Sequence, residues 1–189
     1  MLKYPKKIKG KKTVIRKLEQ EDLKKSLKWL KDPRVNRFLS QNFSGFDQKQ
    51  EDQWYQYIQD SNNDLAFAIE TTEGRYIGNC ALHKINWFKK TAEFGIVIGE
   101  KEFWNKGYGS DAVRMITDFA TGLLGIKKIV LNVYEYNNRA IKVYQNCGFK
   151  LKRVLKKDHF YNQQHWDTFI MEYVKPGSSK GDVHLQKKE

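Results

Sequence analysis

The sequence predicts a mixed α+β sandwich with one or two strand–helix–strand units. The order of segments carries this prediction: a strand, two helices, three strands, a helix, a strand, a helix and two final strands. Size and composition fit one such domain, because 189 residues with 40 % hydrophobic and 14 % aromatic side chains can bury a substantial core. The sequence contains no internal repeat, so we expect a single domain.

Turns and breaks separate the elements of the first half. Residues 20–22 open a helical pattern, the pair Asp32-Pro33 breaks it, and the segment 42–47 (NFSGFD) is rich in turn residues. The predicted elements are a strand at 13–19, helices at 20–30 and 48–59, and strands at 65–70 and 76–85.

The second half begins with the segment 92–99 (AEFGIVIG), whose nearly continuous apolar run suits a strand buried on both faces. A helix from Gly107 to Leu124 follows, with its apolar residues on one side and Gly125 as its stop. The remaining predicted elements are a strand at 127–135, a short helix at 137–149 ending at Gly148, and a hairpin of strands near 150–161 and 165–174.

The net charge of +13 is concentrated at the ends of the chain. Residues 1–12 hold six lysines and no acid, and residues 175–189 hold four lysines and two acids, which leaves about +5 for residues 13–174. We therefore predict a basic N-terminal arm at 1–12, one domain at 13–174 and a flexible polar, basic tail at 175–189. The arm either solubilises the protein, which we favour, or contacts nucleic acid or another acidic surface.

The sequence also predicts where the protein resides. No apolar run approaches the roughly 20 residues that span a bilayer, and the basic N-terminus lacks the apolar core of a secretory signal. Cys80 and Cys147 show no metal-ligand spacing. We expect a cytoplasmic protein with reduced thiols and no metal.

The segment 103–120 (FWNKGYGSDAVRMITDFA) combines a glycine turn with the start of an amphipathic helix. Gly107 and Gly109 leave the backbone without Cβ atoms, so a bulky anion can approach the N–H groups, and the helix adds its positive dipole end. Lys106 adds a charge. A pyrophosphate fits this physics, although the spacing matches neither G-x-x-x-x-G-K-[ST] nor G-x-G-x-x-G. The alternative is a tight strand-to-helix connection without a ligand.

Three motifs lie between Ala92 and Phe149: AEFGIVIG, the turn in GEKEFWNKGYGS, and NNRAIKVYQNCGF. Together they resemble the acetyl-CoA-binding half of the GNAT N-acetyltransferases, in particular the branch with ribosomal-protein N-terminal acetyltransferases and spermidine acetyltransferases. Trp104 stands where many members have Gln or Arg, which leaves a backbone-amide mechanism intact. With TVIRKLEQEDL, KWLKDPRV and QKQEDQWYQYI, the resemblance covers about residues 10–174. It implies a mostly antiparallel central sheet of about seven strands flanked by about four helices.

The resemblance implies that acetyl-CoA binds along this block. The strand Ile96-Val97-Ile98 would bond the pantetheine arm through its main chain. Asn137 would hydrogen-bond the cofactor, although Asn is also a preferred helix N-cap. Tyr144 would donate a proton to the departing thiolate, or only pack against the cofactor or Phe149. The turn residues implied in binding are Trp104, Asn105, Lys106, Gly107, Tyr108, Gly109 and Ser110.

Catalysis also needs a base, because an alkyl amine is mostly protonated at pH 7 and attacks only when it is neutral. Glu93 is the leading candidate, since it opens an otherwise apolar strand where burial would raise the pKa of its carboxyl group. A solvent-facing strand end is the alternative. Glu70, Glu135 and His83 are weaker candidates.

We expect an N-acetyltransferase that transfers acetyl directly from acetyl-CoA to a bound amine, with Phe38 and Phe43 in the acceptor site and the loop 160–166 as its other wall. A protein α-amino group, such as that of a ribosomal protein near RNA, is the first acceptor hypothesis. A small amine (polyamine, aminoglycoside or amino sugar) is the second, because the positive charge argues mildly against a polyamine. The rival is a non-catalytic acyl-CoA-binding or nucleic-acid-binding module, although no nucleic-acid motif is present. The protein is expected to be a monomer or a homodimer.

Overall fold

The computed structural model describes residues 6–39, 43 and 45–177. Within these ranges the chain forms one eight-stranded sheet with helices on both faces. The strands are β1 (Lys7–Lys9), β2 (Thr13–Lys17), β3 (Leu65–Thr71), β4 (Tyr76–Asn86), β5 (Thr91–Ile98), β6 (Lys128–Tyr134), β7 (Lys150–Tyr161) and β8 (Gln164–Val174). The helices are α1 (Leu23–Lys31), α2 (Pro33–Asn36), α3 (Gln48–Asp60), α4 (Tyr108–Asp118) and α5 (Asn138–Asn146).

The sheet has the strand order β1-β2-β3-β4-β5-β6-β8-β7. Neighbouring strands are antiparallel throughout, except for the parallel pair β5–β6. The predicted α+β class with a mostly antiparallel sheet is therefore confirmed.

Strand β1 lies inside the segment expected to be a basic arm. Ile8 pairs with Ile15 of β2, and the N–H of Gly10 donates to the carbonyl of Thr13 at 2.8 Å. The sequence KIK holds a single apolar residue, so periodicity gives no sign of this eighth strand. Residues 1–5 of the expected arm and 178–189 of the expected tail lie outside the described residues.

Strand β3 lies at the centre of the fold, where all of its residues are buried. Phe67 packs into the core under α4, whereas Ala66 and Ala68 face the opposite side and pack with Leu23 of α1 and Ile58 of α3. This alternation follows from the two-residue period of a strand. The small alanine side chains allow α1 and α3 to approach the sheet closely.

The described helices are short. The longest, α3, has 13 residues and begins at a capping box formed by Asp47 and Gln50. Asp32 and Pro33, predicted to break the first helix, separate α1 from α2, because the Asp32 side chain accepts from the N–H of Arg34 and Pro33 is the first residue of α2. Within the described ranges, no helix has the length and apolar character that crossing a membrane requires.

Strands β5 and β6 pair over only three residues. Thr91, Ala92 and Glu93 pair with residues 128–130, and the ladder ends there. Beyond this point β5 continues along β4 as far as Ile98, while β6 continues along β8 as far as Tyr134. Because each strand follows a different neighbour, a cleft opens between them.

Asp111 fastens the β1–β2 turn to the first turn of α4. Its carboxylate accepts from the backbone N–H groups of Lys11, Lys12 and Thr13 and from the Thr13 hydroxyl, at 2.8–3.3 Å. Burial alone would raise the pKa of Asp111, but these hydrogen bonds outweigh it and lower the pKa. The carboxylate thereby fixes the start of α4, which borders the cleft.

Candidate active site

The cleft between β5 and β6 has a volume of about 1270 Å³. It is lined by both strands, by the turn before α4 and the first residues of that helix, by α5, and by parts of β4, β7 and β8. Within the described residues, the β6-facing edge of β5 has no partner strand after Glu93. An extended ligand can therefore add to this edge as a further strand would.

The glycine turn forms one wall of the cleft. Gly107 has a left-handed backbone (φ 87°) and directly precedes α4, which explains the glycine at this position. A Cβ atom on Gly109 would meet only the Ile98 side chain, at 3.7 Å, so this residue leaves open space for a ligand. The first N–H groups of α4 have no partners inside the helix and suit an anion.

Five of the seven predicted turn residues line the cleft: Trp104, Asn105, Gly107, Gly109 and Ser110. The structure does not bring Lys106 and Tyr108 there. Lys106 is exposed, and its carbonyl accepts from Nζ of Lys12 at 2.9 Å. The ring of Tyr108 packs against Phe103, with ring centroids 4.9 Å apart. A helix start holds successive side chains in different directions, so a contiguous motif does not place all of them in one site.

The ring of Trp104 packs against the guanidinium of Arg139, a cleft residue that the sequence analysis missed. Its indole N–H donates to the carbonyl of Ile98 at 2.6 Å, and the guanidinium of Arg139 lies 3.8 Å from its ring centroid. Arg139 lines the cleft and has no ion pair among the described residues. Burial, and to a lesser degree the like charge of the nearby Arg37, lower the pKa of Arg139, because both disfavour the charged guanidinium. An anionic ligand at the glycine turn would supply the missing countercharge.

Helix α5 brings two predicted residues to the cleft. Oδ1 of Asn137 accepts from the N–H of Ala140 at 3.2 Å, so Asn137 is the N-cap that the alternative interpretation predicts, and it also lines the cleft. Tyr144 is 7 % exposed, lines the cleft and packs against Phe149 with ring centroids 5.9 Å apart. Burial, and less so Cys147, raises the pKa of Tyr144, so its phenol keeps its proton at neutral pH.

The predicted strand residues Ile96, Val97 and Ile98 all line the cleft. Phe94 and Gly95, which the sequence analysis did not single out, line it as well. The carbonyl of Ile98 is occupied by the indole of Trp104. The main-chain groups left for a ligand are therefore those of the alternate residues between 94 and 97 that point away from β4.

Glu93 lines the cleft, but the burial expected for it is wrong. Its side chain is 49 % exposed, and its carboxylate lies 3.0 Å from Nζ of Lys84. The alternative of a solvent-facing strand end describes it better, and its role as a base stays a prediction. Two weaker candidates lie outside the cleft lining: Glu70 is bound to Arg16 at 2.6 Å, and Glu135 accepts from the N–H of Asp167.

The expected acceptor wall is only partly present. Phe38 lines the cleft, whereas Phe43 packs against Phe46 with ring centroids 5.3 Å apart. No residue of the loop 160–166 lines it. The neighbours of Phe43 at 40–42 and 44 lie outside the described residues.

Two β-bulges adjoin further cleft residues that the sequence analysis missed or ranked low. In β4 the register shifts after His83, and Lys84 is left-handed (φ 48°). In β7 the register shifts before His159, and Lys157 is left-handed (φ 52°). His83, Asp158 and His159 all line the cleft. Simple alternation would place Asp158 and His159 on opposite faces, so only the bulge explains why both reach one site.

Each bulge is held by an aspartate. Oδ1 of Asp64 accepts from the N–H of Lys84 at 3.2 Å, and Oδ1 of Asp167 accepts from the N–H of Lys157 at 2.9 Å. Each contact joins residues that are 10 or 20 positions apart, so no local sequence pattern predicts it.

The pair Asp158-His159 presents an acid and a neutral ring to the cleft. Asp158 accepts from the hydroxyl of Thr168 at 2.8 Å. His159 stacks on Tyr134 with ring centroids 3.8 Å apart, and burial lowers the pKa of His159 against the opposing effect of Asp158. The imidazole is therefore mostly uncharged at pH 7, and the acid provides local negative charge.

Comparison with known proteins agrees with this geometry. A family model described as an acetyltransferase (GNAT) domain matches residues 12–150. The chain belongs to the GNAT family. It is an acyltransferase that uses acetyl-CoA as its donor, as the resemblance implied.

Two curated relatives are spermidine N(1)-acetyltransferases. The one from Vibrio cholerae serotype O1 is 28 % identical over 134 residues, which cover 71 % of this chain and 76 % of the relative. The one from Escherichia coli K12 is 28 % identical over 158 residues, which cover 83 % of each chain.

Solved structures share the fold. A chimera of the Vibrio cholerae spermidine N-acetyltransferase and hSSAT has a TM-score of 0.76 at 28 % identity, over 86 % of this chain and 95 % of that one. The Vibrio cholerae enzyme in complex with CoA and spermine has a TM-score of 0.79 at 24 % identity, over the same shares. The second likeness shows the fold alone.

Proposed function

We propose that this enzyme acetylates a small cationic amine of the polyamine class. The observation that carries the proposal is the division of charge within the cleft. Among the described residues that line it, the bases Arg139 and Lys142 lie on α5, whereas the acids Glu93 and Asp158 lie on β5 and β7. An acceptor with two or more ammonium groups finds one countercharge at Asp158 and a second at Glu93, which it would share with Lys84, despite the net charge of +13. The names of the relatives support the same acceptor class.

The positive part of the cleft suits acetyl-CoA. The pyrophosphate would bind the N–H groups from Gly107 to Ser110 and the guanidinium of Arg139. The pantetheine arm would lie along the free edge of β5, beside Ile96 and Val97, with Asn137 on the opposite side. These residues bind and orient the donor so that its thioester faces the acceptor.

Tyr144 would stabilise the leaving thiolate. A thiol titrates near 8.5, about 1.5 units below an ordinary phenol, and the pKa of Tyr144 is raised further. Complete proton transfer from this phenol to the thiolate is thus uphill. We therefore propose that Tyr144 donates a hydrogen bond to the developing thiolate. The thiolate takes up a proton fully only when coenzyme A leaves the site.

A protein α-amino group was the first acceptor hypothesis from sequence. It is less well supported, because the curated relatives named here act on spermidine and the cleft offers acids to a multiply charged amine. A peptide with one α-ammonium group would use at most one of these acids.

The test is acetylation by the purified full chain, measured as thiol release and confirmed by the mass of the product. The acceptors are spermidine, spermine, an aminoglycoside, an amino sugar and a peptide with a free α-amino group. We expect kcat/KM for a polyamine to exceed that for the peptide by at least about 100-fold, or roughly 2.8 kcal/mol. A preference for the peptide, or no turnover of any amine at millimolar acetyl-CoA, would overturn the proposal.

A further inference from the structure

An aspartate and a histidine form a fixed pair at the edge of the cleft. His83 lies on β4 and lines the cleft, and its Nδ1 lies 3.1 Å from Oδ1 of Asp64. The side chain of Asp64 is 9 % exposed and that of His83 is 35 % exposed. The carboxylate is thus shielded from water, while the imidazole is accessible from the cleft.

The other partners of Asp64 decide which nitrogen of His83 carries the proton. The carboxylate also accepts from the hydroxyls of Tyr57 and Ser61, at 2.9 and 2.8 Å, and from the N–H of Lys84. Burial alone would raise the pKa of Asp64, but these hydrogen bonds outweigh it and lower the pKa. Asp64 is therefore ionised at neutral pH and can only accept, so Nδ1 of His83 donates to it. In the neutral ring Nε2 then holds a lone pair.

The pair lies where the cleft begins. His83 is the cross-strand partner of Glu93, and Glu93 forms with Val130 the last pair of the β5–β6 ladder. Nε2 of His83 has no hydrogen-bond partner within the described residues. The other charged groups nearby, Lys84 and Glu93, are bound to each other at 3.0 Å. Nε2 is thus a free acceptor at the closed end of the space between the two strands.

We propose that His83 is the base that takes a proton from the acceptor amine, and that Asp64 is a positioning residue that fixes the tautomer of His83. This inference rests on the proposed function. The nitrogen–carbon bond forms and the carbon–sulfur bond of the thioester breaks. Of the two protons that the ammonium group loses, one passes through Nε2 of His83 to water and the other ends on the sulfur of coenzyme A. Glu93, bound to Lys84, serves the cationic acceptor as a countercharge.

The first test is His83→Gln, which keeps a polar side chain and removes the base. We expect kcat to fall by roughly 10²- to 10³-fold, while acetyl-CoA affinity and the unfolding temperature stay unchanged. His165→Gln is the matched control, since His165 is exposed and lies outside the cleft lining. Its kcat should equal that of the wild type.

Two further readouts separate a base from a structural histidine. In His83→Ala, added imidazole should raise kcat at least ten-fold. Without imidazole, kcat of this variant should no longer decrease as the pH is lowered, as it should in the wild type. Asp64→Asn should lower kcat with little change in KM, because the neutral amide no longer stabilises the imidazolium that forms at His83, whereas Asp60→Asn, at an exposed position on α3, should change neither.

The outcomes distinguish this inference from the proposed function. If the wild type acetylates polyamines and His83→Gln keeps its full kcat, the base is another group and the inference is wrong, while the proposed function stands. Loss of activity without imidazole rescue and with a lowered unfolding temperature would assign the pair a structural role, and would also overturn the inference. If the wild type acetylates no amine, the proposed function itself fails.

Discussion

The two sides of the cleft are built in different ways. The side that we propose for the cofactor, called the cofactor side below, consists of a glycine turn and a helix N-cap, which both lie between Trp104 and Tyr144 in the sequence. The side that we propose for the acceptor, called the acceptor side below, includes two bulges, and each depends on an aspartate that lies 10 or 20 residues from the lysine it fixes. Binding a pyrophosphate requires bare backbone and a helix start, which sequence encodes locally. Presenting acids and imidazoles to an amine requires side chains aimed by long-range contacts.

The largest effect should follow from Gly109→Glu, which tests whether the cofactor side depends on bare backbone. The new side chain would enter the open space beside Ile98 and place a negative charge near the pyrophosphate. At an effective dielectric constant of 20, one such repulsion costs about 4 kcal/mol at 4 Å. We expect acetyl-CoA affinity, measured by calorimetry, to fall at least about 100-fold.

Gly122→Glu is the matched control for this change. Gly122 is exposed, and a Cβ atom there would meet nothing within 4 Å, but it lies outside the cleft lining. Its acetyl-CoA affinity should equal that of the wild type. If Gly109→Glu binds acetyl-CoA as tightly as the wild type does, the turn does not hold the cofactor and is only a connection between a strand and a helix.

The next effect concerns the attachment of the glycine turn to the fold. In Asp111→Asn the amide oxygen can still accept from the three donors that now point at Oδ2, but the charge is lost and the NH2 group faces the N–H of Lys11 at the Oδ1 position. With hydrogen bonds to charged groups worth about 1.5–3 kcal/mol, we expect a loss of roughly 3 kcal/mol in the free energy of unfolding. For a chain of this size the unfolding temperature should fall by about 6–12 °C. Asp118→Asn, exposed on the same helix, should leave it unchanged.

The pH dependence of this difference has a definite sign. The pKa of Asp111 is lowered in the folded protein, so its stabilising effect is complete above the ordinary aspartate pKa of about 3.9 and is lost as pH falls through the lower folded value. The gap in unfolding temperature between wild type and Asp111→Asn should therefore narrow below about pH 4. A gap that stays constant down to pH 3 would contradict the assignment of the effect to the ionised carboxylate.

Arg139→Met tests whether a side chain contributes to the cofactor side. Methionine keeps apolar contact with Trp104 and removes the charge that has no countercharge among the described residues. We expect acetyl-CoA affinity to fall by about ten- to hundred-fold, with a shallower dependence on salt. Arg153→Met, exposed on β7, is the control and should bind as the wild type does. Unchanged affinity in Arg139→Met would mean that backbone groups alone hold the phosphates.

The contrast between the two sides also explains how far the sequence could predict this molecule. Hydrophobic periodicity and turn residues located seven of the eight strands, because burial and local turn chemistry determine them. The positions of Gly107, Asn137 and Tyr144 at the cleft could be predicted, because one turn and one helix place them at fixed spacings. Arg139 lies in the same motif, but its position over Trp104 depends on how α5 packs against the turn.

Asp158 and His159 could not be found, because a strand pattern cannot reveal a bulge. The expected burial of Glu93 was wrong, because its side chain is half exposed and pairs with Lys84 of the neighbouring strand although β5 lies inside the sheet.

The smallest expected effect belongs to the acceptor side and sharpens its chemistry. In Asp158→Asn the side-chain oxygen can still accept from Thr168, but the charge is lost. Because the position is exposed, one ammonium–carboxylate contact should contribute only about 0.5–1 kcal/mol, so KM for spermidine should rise roughly two- to five-fold. KM for acetyl-CoA and kcat should not change, and Asp118→Asn should behave as the wild type. An alkyl monoamine of matched length has no second ammonium group, and its KM should therefore be the same in wild type and Asp158→Asn. If KM for the monoamine rises as much as that for spermidine, Asp158 acts on the reacting amine or on the bulge instead. The cleft would then recognise one positive charge and not the two that we propose.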